Sequence, residues 1–193
     1  MDKIRNKIDN YRYNHQTKAV LIYICKKNKR MNFVAIDFET ATGYQHSACA
    51  VGIVTVQNGC IVDEYHALIQ PPNNEYWWQN INVHGIRPEQ TIQAPTFDEI
   101  YPKLKEKLAG NMIVAHNESF DRNVLIKSMA YYQMDYADLM LPSKWECTVK
   151  MYKAKGFPSA KLDICCQRMN IQLNHHEALS DARACAKLYL LGI

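Results

Sequence analysis

Asp37 and Glu39 stand two residues apart at the end of an apolar run, Phe33 to Thr40, FVAIDFET. A run of this kind, with no helical gaps, predicts a buried strand, and residues two apart on a strand share a face. Both carboxylates therefore leave the strand end together, about 6 to 7 Å apart, and repel each other unless a cation lies between them. Oxygen-only ligands suit Mg²⁺ or Mn²⁺ better than zinc. A solvated strand end with two idle acids has the same triplet, so the rest of the chain must decide. Two more groups bear on it: Asp121 in the run His116-Asn117-Glu118-Ser119-Phe120-Asp121, and His176 with Asp181 in HEALSD. A spacing of five puts His176 and Asp181 about one and a half helical turns apart. They cannot clasp one ion as an i, i+4 pair would, but one can bind metal while the other reaches the water beside it. Taken singly, these are also what acidic helix N-termini and a surface histidine look like.

The elements that must position them follow from pattern. Residues 49–57 (CAVGIVTVQ) and 61–70 (IVDEYHALIQ) read as strands joined at Asn58-Gly59, a strong short hairpin signal. With the first strand they make an antiparallel meander, which Pro71-Pro72 ends. Residues 73–92 read as turn-like and aromatic, with Trp77 and Trp78 as packing residues. Thr96 and Glu99 form a capping box for a helix running to Leu108. Residues 112–115 (MIVA) predict a second buried strand, and 119–132 a helix after it, the grammar of a parallel crossover. A fifth short strand is expected around 145–149, a Ser159-capped helix through Met169, and a last helix over 178–191. The expected class is α/β: a five-stranded mixed sheet, antiparallel meander plus two parallel strands, flanked by helices. Ligands in open α/β sheets gather at the carboxyl ends of strands, which places Asp121 beside Asp37 and Glu39.

At 193 residues, 48% apolar and 22% charged, the chain has the size and composition of one ordinary globular domain. Seven cysteines without a C-x-x-C argue against a disulfide framework and a zinc site, and fit a reducing cytoplasm. The net charge of +4 divides into +7 for residues 1–30 and −3 for the remainder. Residues 1–30 read as a basic extension, with Met31 as an alternative natural start, and 31–193 as the working domain. The apolar run Ala19 to Cys25 is far too short to span a bilayer, so no membrane partner is expected. An acidic domain still suits a nucleic-acid partner, because carboxylates holding divalent ions present a positive face to phosphate.

In order and spacing, Asp37-Phe38-Glu39-Thr40, then Asn117 with Phe120-Asp121, then His176-x-Ala178-x-x-Asp181 resemble the three motifs of the DEDDh 3′–5′ exonucleases, most of all the branch of the DNA polymerase III epsilon subunit. Val83-His84-Gly85-Ile86 matches a further landmark, and the likeness covers about residues 32–191. The resemblance implies an RNase H-like fold and two divalent cations, Mg²⁺ or Mn²⁺, held by Asp37, Glu39, Asp121 and Asp181. It implies His176 as general base, and Thr40, His84, Asn117 and Phe120 around the terminal nucleotide. The implied substrate is nucleic acid with a free 3′ end, DNA ahead of RNA, and a DNA polymerase is a candidate partner. The sister subfamily has a tyrosine four residues before the last aspartate; Glu177 stands there, on the histidine side of the division. A non-catalytic module of the same fold would be marked by a lost ligand, and none is lost.

Overall fold

Period-two alternation along the first strand, β1 (Phe33–Thr40), sorts its side chains between two helical layers. In the computed structural model, described for residues 30–193, Val34, Ile36 and Phe38 face one layer, while Phe33 and Ala35 face the other. Asp37 and Glu39 are in phase with Phe33 and Ala35. The basic extension predicted over 1–30 lies, apart from Arg30, outside the described residues.

β1 pairs antiparallel with β2 (Ala48–Gln57), which pairs antiparallel with β3 (Cys60–Leu68). On its other side β1 runs parallel to β4 (Ile113–Ala115), and β4 parallel to β5 (Glu146–Cys147), giving the order β3-β2-β1-β4-β5. The β2–β3 turn forms at Asn58-Gly59, both with positive φ (51° and 75°), as the primed hairpin turns require. The mixed five-stranded sheet is the expected one. No helix among the described residues is long and apolar enough to cross a membrane.

Helices α1 (Trp78–His84) and α2 (Pro88–Thr91) precede α3 (Phe97–Leu108), and α4 (Glu118–Tyr131) follows β4. After β5 come α5 (Thr148–Ala154), α6 (Leu162–Arg168) and α7 (Ala178–Gly192). Ile100, Leu104 and Leu108 of α3 with Val124, Leu125 and Met129 of α4 cover one face of the sheet. On the other, α7 lays Ala182, Cys185, Ala186, Tyr189 and Leu190 against Phe33, Ala35, Val54 and Val114. Its outward side carries Ala184 and Leu188 into a smaller core with α5 and α6.

Thr96 starts α3 as expected, its N–H donating to Glu99 Oε2 at 2.8 Å, an arrangement worth about 1 kcal/mol. Four expectations need correction. Residues 73–92 hold two short helices rather than turns alone. The fifth strand has only two residues, because α5 begins at Thr148. The helix expected from Ser159 begins at Leu162: the Ser159 hydroxyl accepts the Lys161 N–H at 3.4 Å within the preceding loop, a local turn that delays the helix. The packing role expected of the tryptophans suits Trp77, whose ring covers Gly43 and meets Tyr44 edge-on at 5.3 Å. It does not suit Trp78, which is 67% exposed.

Candidate active site

Asp37 and Glu39 face α7 near the carboxyl end of β1, and the first turn of α7 carries Asp181. Carboxylate oxygens of all three lie within 4.8 Å of one another. That approach depends on Gly52, which pairs with Asp37 across β1 and β2. A Cβ there would overlap the backbone of Ala178 and Leu179, so the missing side chain lets the start of α7 settle onto the sheet. Glu177 caps α7, its carboxylate accepting the N–H groups of Leu179 (3.3 Å) and Ser180 (2.9 Å). The preceding loop is stapled to the same turn, Asn174 N–H donating to Ser180 Oγ at 2.8 Å.

Asp121 arrives from the first turn of α4 and is almost fully buried. Its Oδ1 accepts the Phe38 N–H at 3.0 Å, which fixes it to the peptide that joins Asp37 to Phe38. Asp181 Oδ2 accepts the His176 N–H at 3.1 Å and lies 2.9 Å from His175 Nδ1. His176, at φ 67°, stacks its ring on that of His175 with centroids 3.8 Å apart. The imidazole touching the carboxylate thus belongs to His175, which no sequence pattern singled out.

The electrostatics are those of crowded acids. Asp37 is pushed well above the ordinary carboxylate range by burial first, then by the charges of Asp121, Glu39 and Asp181. Burial, then Asp181 and Asp121, raises Glu39 to about 8. Burial also raises Asp121 to about 8, against the opposing pull of the Phe38 N–H. Asp181 is raised by burial too, its hydrogen bonds to His175 and His176 working the other way. Asp181 Oδ1 is buried without a hydrogen-bond partner, a costly state for a carboxylate. An unpartnered oxygen beside two further carboxylates fits a hard divalent cation with oxygen ligands.

A pH dependence follows. These acids hold protons more tightly when folded than in the unfolded chain, where they titrate near 4. Without metal, stability must therefore fall as pH rises from about 4 to about 8. In EDTA the melting temperature is expected to drop between pH 5 and pH 8, by about 2–4 °C for each 1 kcal/mol of lost stability in a domain of this size, and Mn²⁺ should restore it. A flat profile in EDTA would show that the carboxylates do not crowd one another.

Beside the carboxylates opens a cleft of about 870 Å³ lined by Asp37, Glu39, Asp181 and His176 together with Asn117 and Phe120. Thr40 and His84 are not on its wall. They meet each other, His84 Nε2 lying 3.2 Å from the Thr40 carbonyl oxygen, just past Glu39. The cleft is also lined by residues that no sequence motif singled out for the site: Lys153 and Lys161, with Phe157 and Ser159 between them along the chain. Their signal was present as the lysine-flanked loop KAKGFPSAK. His116, also on the wall, has its Nδ1 2.8 Å from Thr148 Oγ1 and is lowered to about 4 by burial.

Comparison with known proteins agrees with this geometry. The model of an exonuclease family, RNase_T, matches residues 34–189. A PolC-type DNA polymerase III of Thermotoga petrophila is 32% identical over 167 residues, covering 82% of this chain and 12% of that protein. The 3′–5′ exonuclease DinG of Staphylococcus aureus (strain COL) is 30% identical over 172 residues, covering 83% and 18%. The chain thus spans under a fifth of the length of either. Among solved structures, exonuclease X in complex with 5′-overhanging duplex DNA superposes with a TM-score of 0.64 at 24% identity, covering 83% of this chain and 90% of that one. The nuclease domain of 3′hExo, a DEDDh family member bound to rAMP, gives 0.70 at 20% identity with the same coverage.

Proposed function

The chain belongs to the RNase_T exonuclease family, and from that premise we propose that it is a two-metal-ion 3′–5′ exonuclease releasing 5′-mononucleotides from single-stranded DNA or frayed 3′ ends. The observation that carries this is the convergence of Asp37, Glu39 and Asp181 within 4.8 Å, one oxygen left unpartnered, beside a cleft whose lining includes two lysines. Asp37, Glu39 and Asp181 would hold one divalent ion, Mg²⁺ or Mn²⁺, and Asp121 with Asp37 a second. When bound, such a pair supplies the positive charge that activates water and stabilises the leaving 3′ oxygen.

The chain's own residues do the rest. Where they are ionised, the crowded carboxylates repel a phosphate, by about 3 kcal/mol per pair of unit charges at 5 Å and an effective dielectric of 20. Asn117 and Phe120 orient the terminal nucleotide from the α4 side, Thr40 and His84 from the β1 side. Lys153 and Lys161 offer charge to a phosphate. His176 is lowered by burial and then by His175, so it is neutral at pH 7 and free to take the water's proton as general base. His175 acts as a positioning residue through Asp181. His176→Ala is expected to lower kcat about 10²- to 10³-fold with metal affinity nearly unchanged. His175→Ala should instead weaken Mn²⁺ uptake, read by titration calorimetry; the reverse split would exchange the two roles.

Single strands of DNA and RNA with one sequence, labelled at either end and offered Mg²⁺, Mn²⁺ or EDTA, test the reaction. A metal-dependent ladder shrinking from the 3′ end, faster for DNA, is the expected result. Faster RNA shortening would favour an RNA-trimming enzyme, a reading to which the rAMP-bound neighbour lends support. No cleavage with either would leave a non-catalytic module. The PolC-type relatives support a DNA polymerase as partner in trimming 3′ ends.

A further inference from the structure

We propose that the exposed face of α4 and the loop after β1 form a track for the unpaired strand upstream of the nucleotide being removed, with bases held against the rings of Phe120, Tyr131 and Tyr44. This rests on the exonuclease reading and extends it to a surface beyond the carboxylate cleft. Phe120, on the cleft wall, is 37% exposed; Tyr131, at the far end of α4, is 50% exposed. Eleven residues of α-helix bring a side chain back to within about 20° of its starting direction and about 16 Å along the axis. The two rings therefore stand on one face of α4, with Asn123 and the exposed Lys127 between them at helical spacing.

The loop after β1 extends that face. His46 stacks on Tyr131 with centroids 4.9 Å apart and planes 4° apart, and Tyr44 stacks on His46 at 5.6 Å and 15°. Trp77 closes the end of the row, edge-on to Tyr44. Tyr44 is 56% exposed and Trp77 37%. The loop is held in place: Ser47 Oγ accepts the Thr42 N–H at 3.0 Å, Ala41 N–H donates to the Ser47 carbonyl at 2.8 Å, and the Ala41 carbonyl accepts the Trp77 N–H at 2.9 Å. Exposed rings set side by side in this way differ from the singly scattered apolar residues of an ordinary surface.

Two features name unpaired nucleic acid as the occupant. Both supports of the row start at the cleft: α4 carries Phe120 on its wall, and the loop follows β1, whose Asp37 and Glu39 line it. Rings interleaved with a lysine and an amide are also the means by which single strands are held without regard to sequence, bases on aromatic surfaces and phosphates on cations. About 16 Å accommodates up to about five nucleotides at the ~3.4 Å rise of stacked bases. A closed duplex presents no base faces to such a row.

The test is the dependence of KM on length for single-stranded DNA of two, four, six and eight nucleotides with Mn²⁺, using the full chain. For the native chain KM should fall about 10- to 100-fold between two and six nucleotides. Tyr44→Ala with Tyr131→Ala should lose most of that gain, and Tyr44→Phe with Tyr131→Phe should keep it. If the double alanine variant melts early, Tyr44→Ala alone reads the same quantity. A native chain with no gain in length, or an alanine variant that keeps the gain, overturns the track. Fluorescence anisotropy of a labelled eight-nucleotide strand separates the two levels of reading. A chain that binds it through these rings yet cuts nothing overturns the exonuclease reading alone; equal binding by native and alanine chains overturns the track.

Discussion

Replacing Asp37 with Ala is expected to lower hydrolysis at a 3′ end by at least about 10³-fold while raising the melting temperature of the metal-free chain at pH 8. Both effects have one cause. Asp37 is the carboxylate on which the charges of Asp121, Glu39 and Asp181 converge, so its removal would dismantle the proposed cation site and relieve the folded state of a crowded charge. Its neighbours Ile36 and Phe38 stay in the opposite core, so the fold has no reason to fail. Shortening of a 5′-labelled oligonucleotide gives the first effect, and thermal melts in EDTA and in Mn²⁺ the second. Mn²⁺ should raise the melting temperature of the native chain and hardly move the variant. Retained hydrolysis would remove Asp37 from the chemistry; a variant that melts well below the native chain in EDTA would make it a structural residue.

Gly52→Val should abolish the same activity from a residue that touches no substrate. A side chain at position 52 would meet the backbone of Ala178 and Leu179, and backbone cannot swing aside as a flexible side chain does. The start of α7 must then lift from the sheet, carrying Asp181 away from Asp37 and Glu39. Overpacking of this kind costs about 1–3 kcal/mol, which lowers the melting temperature by about 2–12 °C without preventing folding. Metal uptake should suffer more than stability, since carboxylates must converge to within a few ångströms to share an ion. Calorimetric titration with Mn²⁺ beside a urea melt separates the two losses. Native Mn²⁺ affinity in a folded Gly52→Val chain would show that α7 is not placed by this contact.

Much of the architecture is legible in the residues themselves. The apolar run 33–36, the Asn58-Gly59 turn and the Thr96-Glu99 box act over one to four residues, and the structure places strand, hairpin and helix where these local rules put them. The helices at 78–84, 88–91 and 148–154 were not legible. Each is seven residues or fewer, too short to show a full amphipathic period, and short helices draw their stability from tertiary packing rather than from propensity. Ser159 misled for a related reason: a serine hydroxyl serves a turn as readily as a cap, and only the surrounding chain decides between them.

Residue type and spacing brought Asp37, Glu39, Asp121, His176 and Asp181 forward as candidates, because a cation site constrains where oxygens sit relative to strand and helix ends, and the motif resemblance gave His176 its expected role as base. That much the sequence determined by itself. Which imidazole rests against Asp181, why Gly52 has no side chain, that Lys153 and Lys161 line the cleft, and that His46 joins Tyr44 to Tyr131 were decided only by the tertiary structure. The approaches of Gly52 to Ala178 and of His46 to Tyr131 join residues 126 and 85 positions apart and have no period along the chain. They exist because α7 and α4 pack on opposite faces of one sheet and bring their first turns to the same strand end, where distance through space, not along sequence, sets the charge each carboxylate feels.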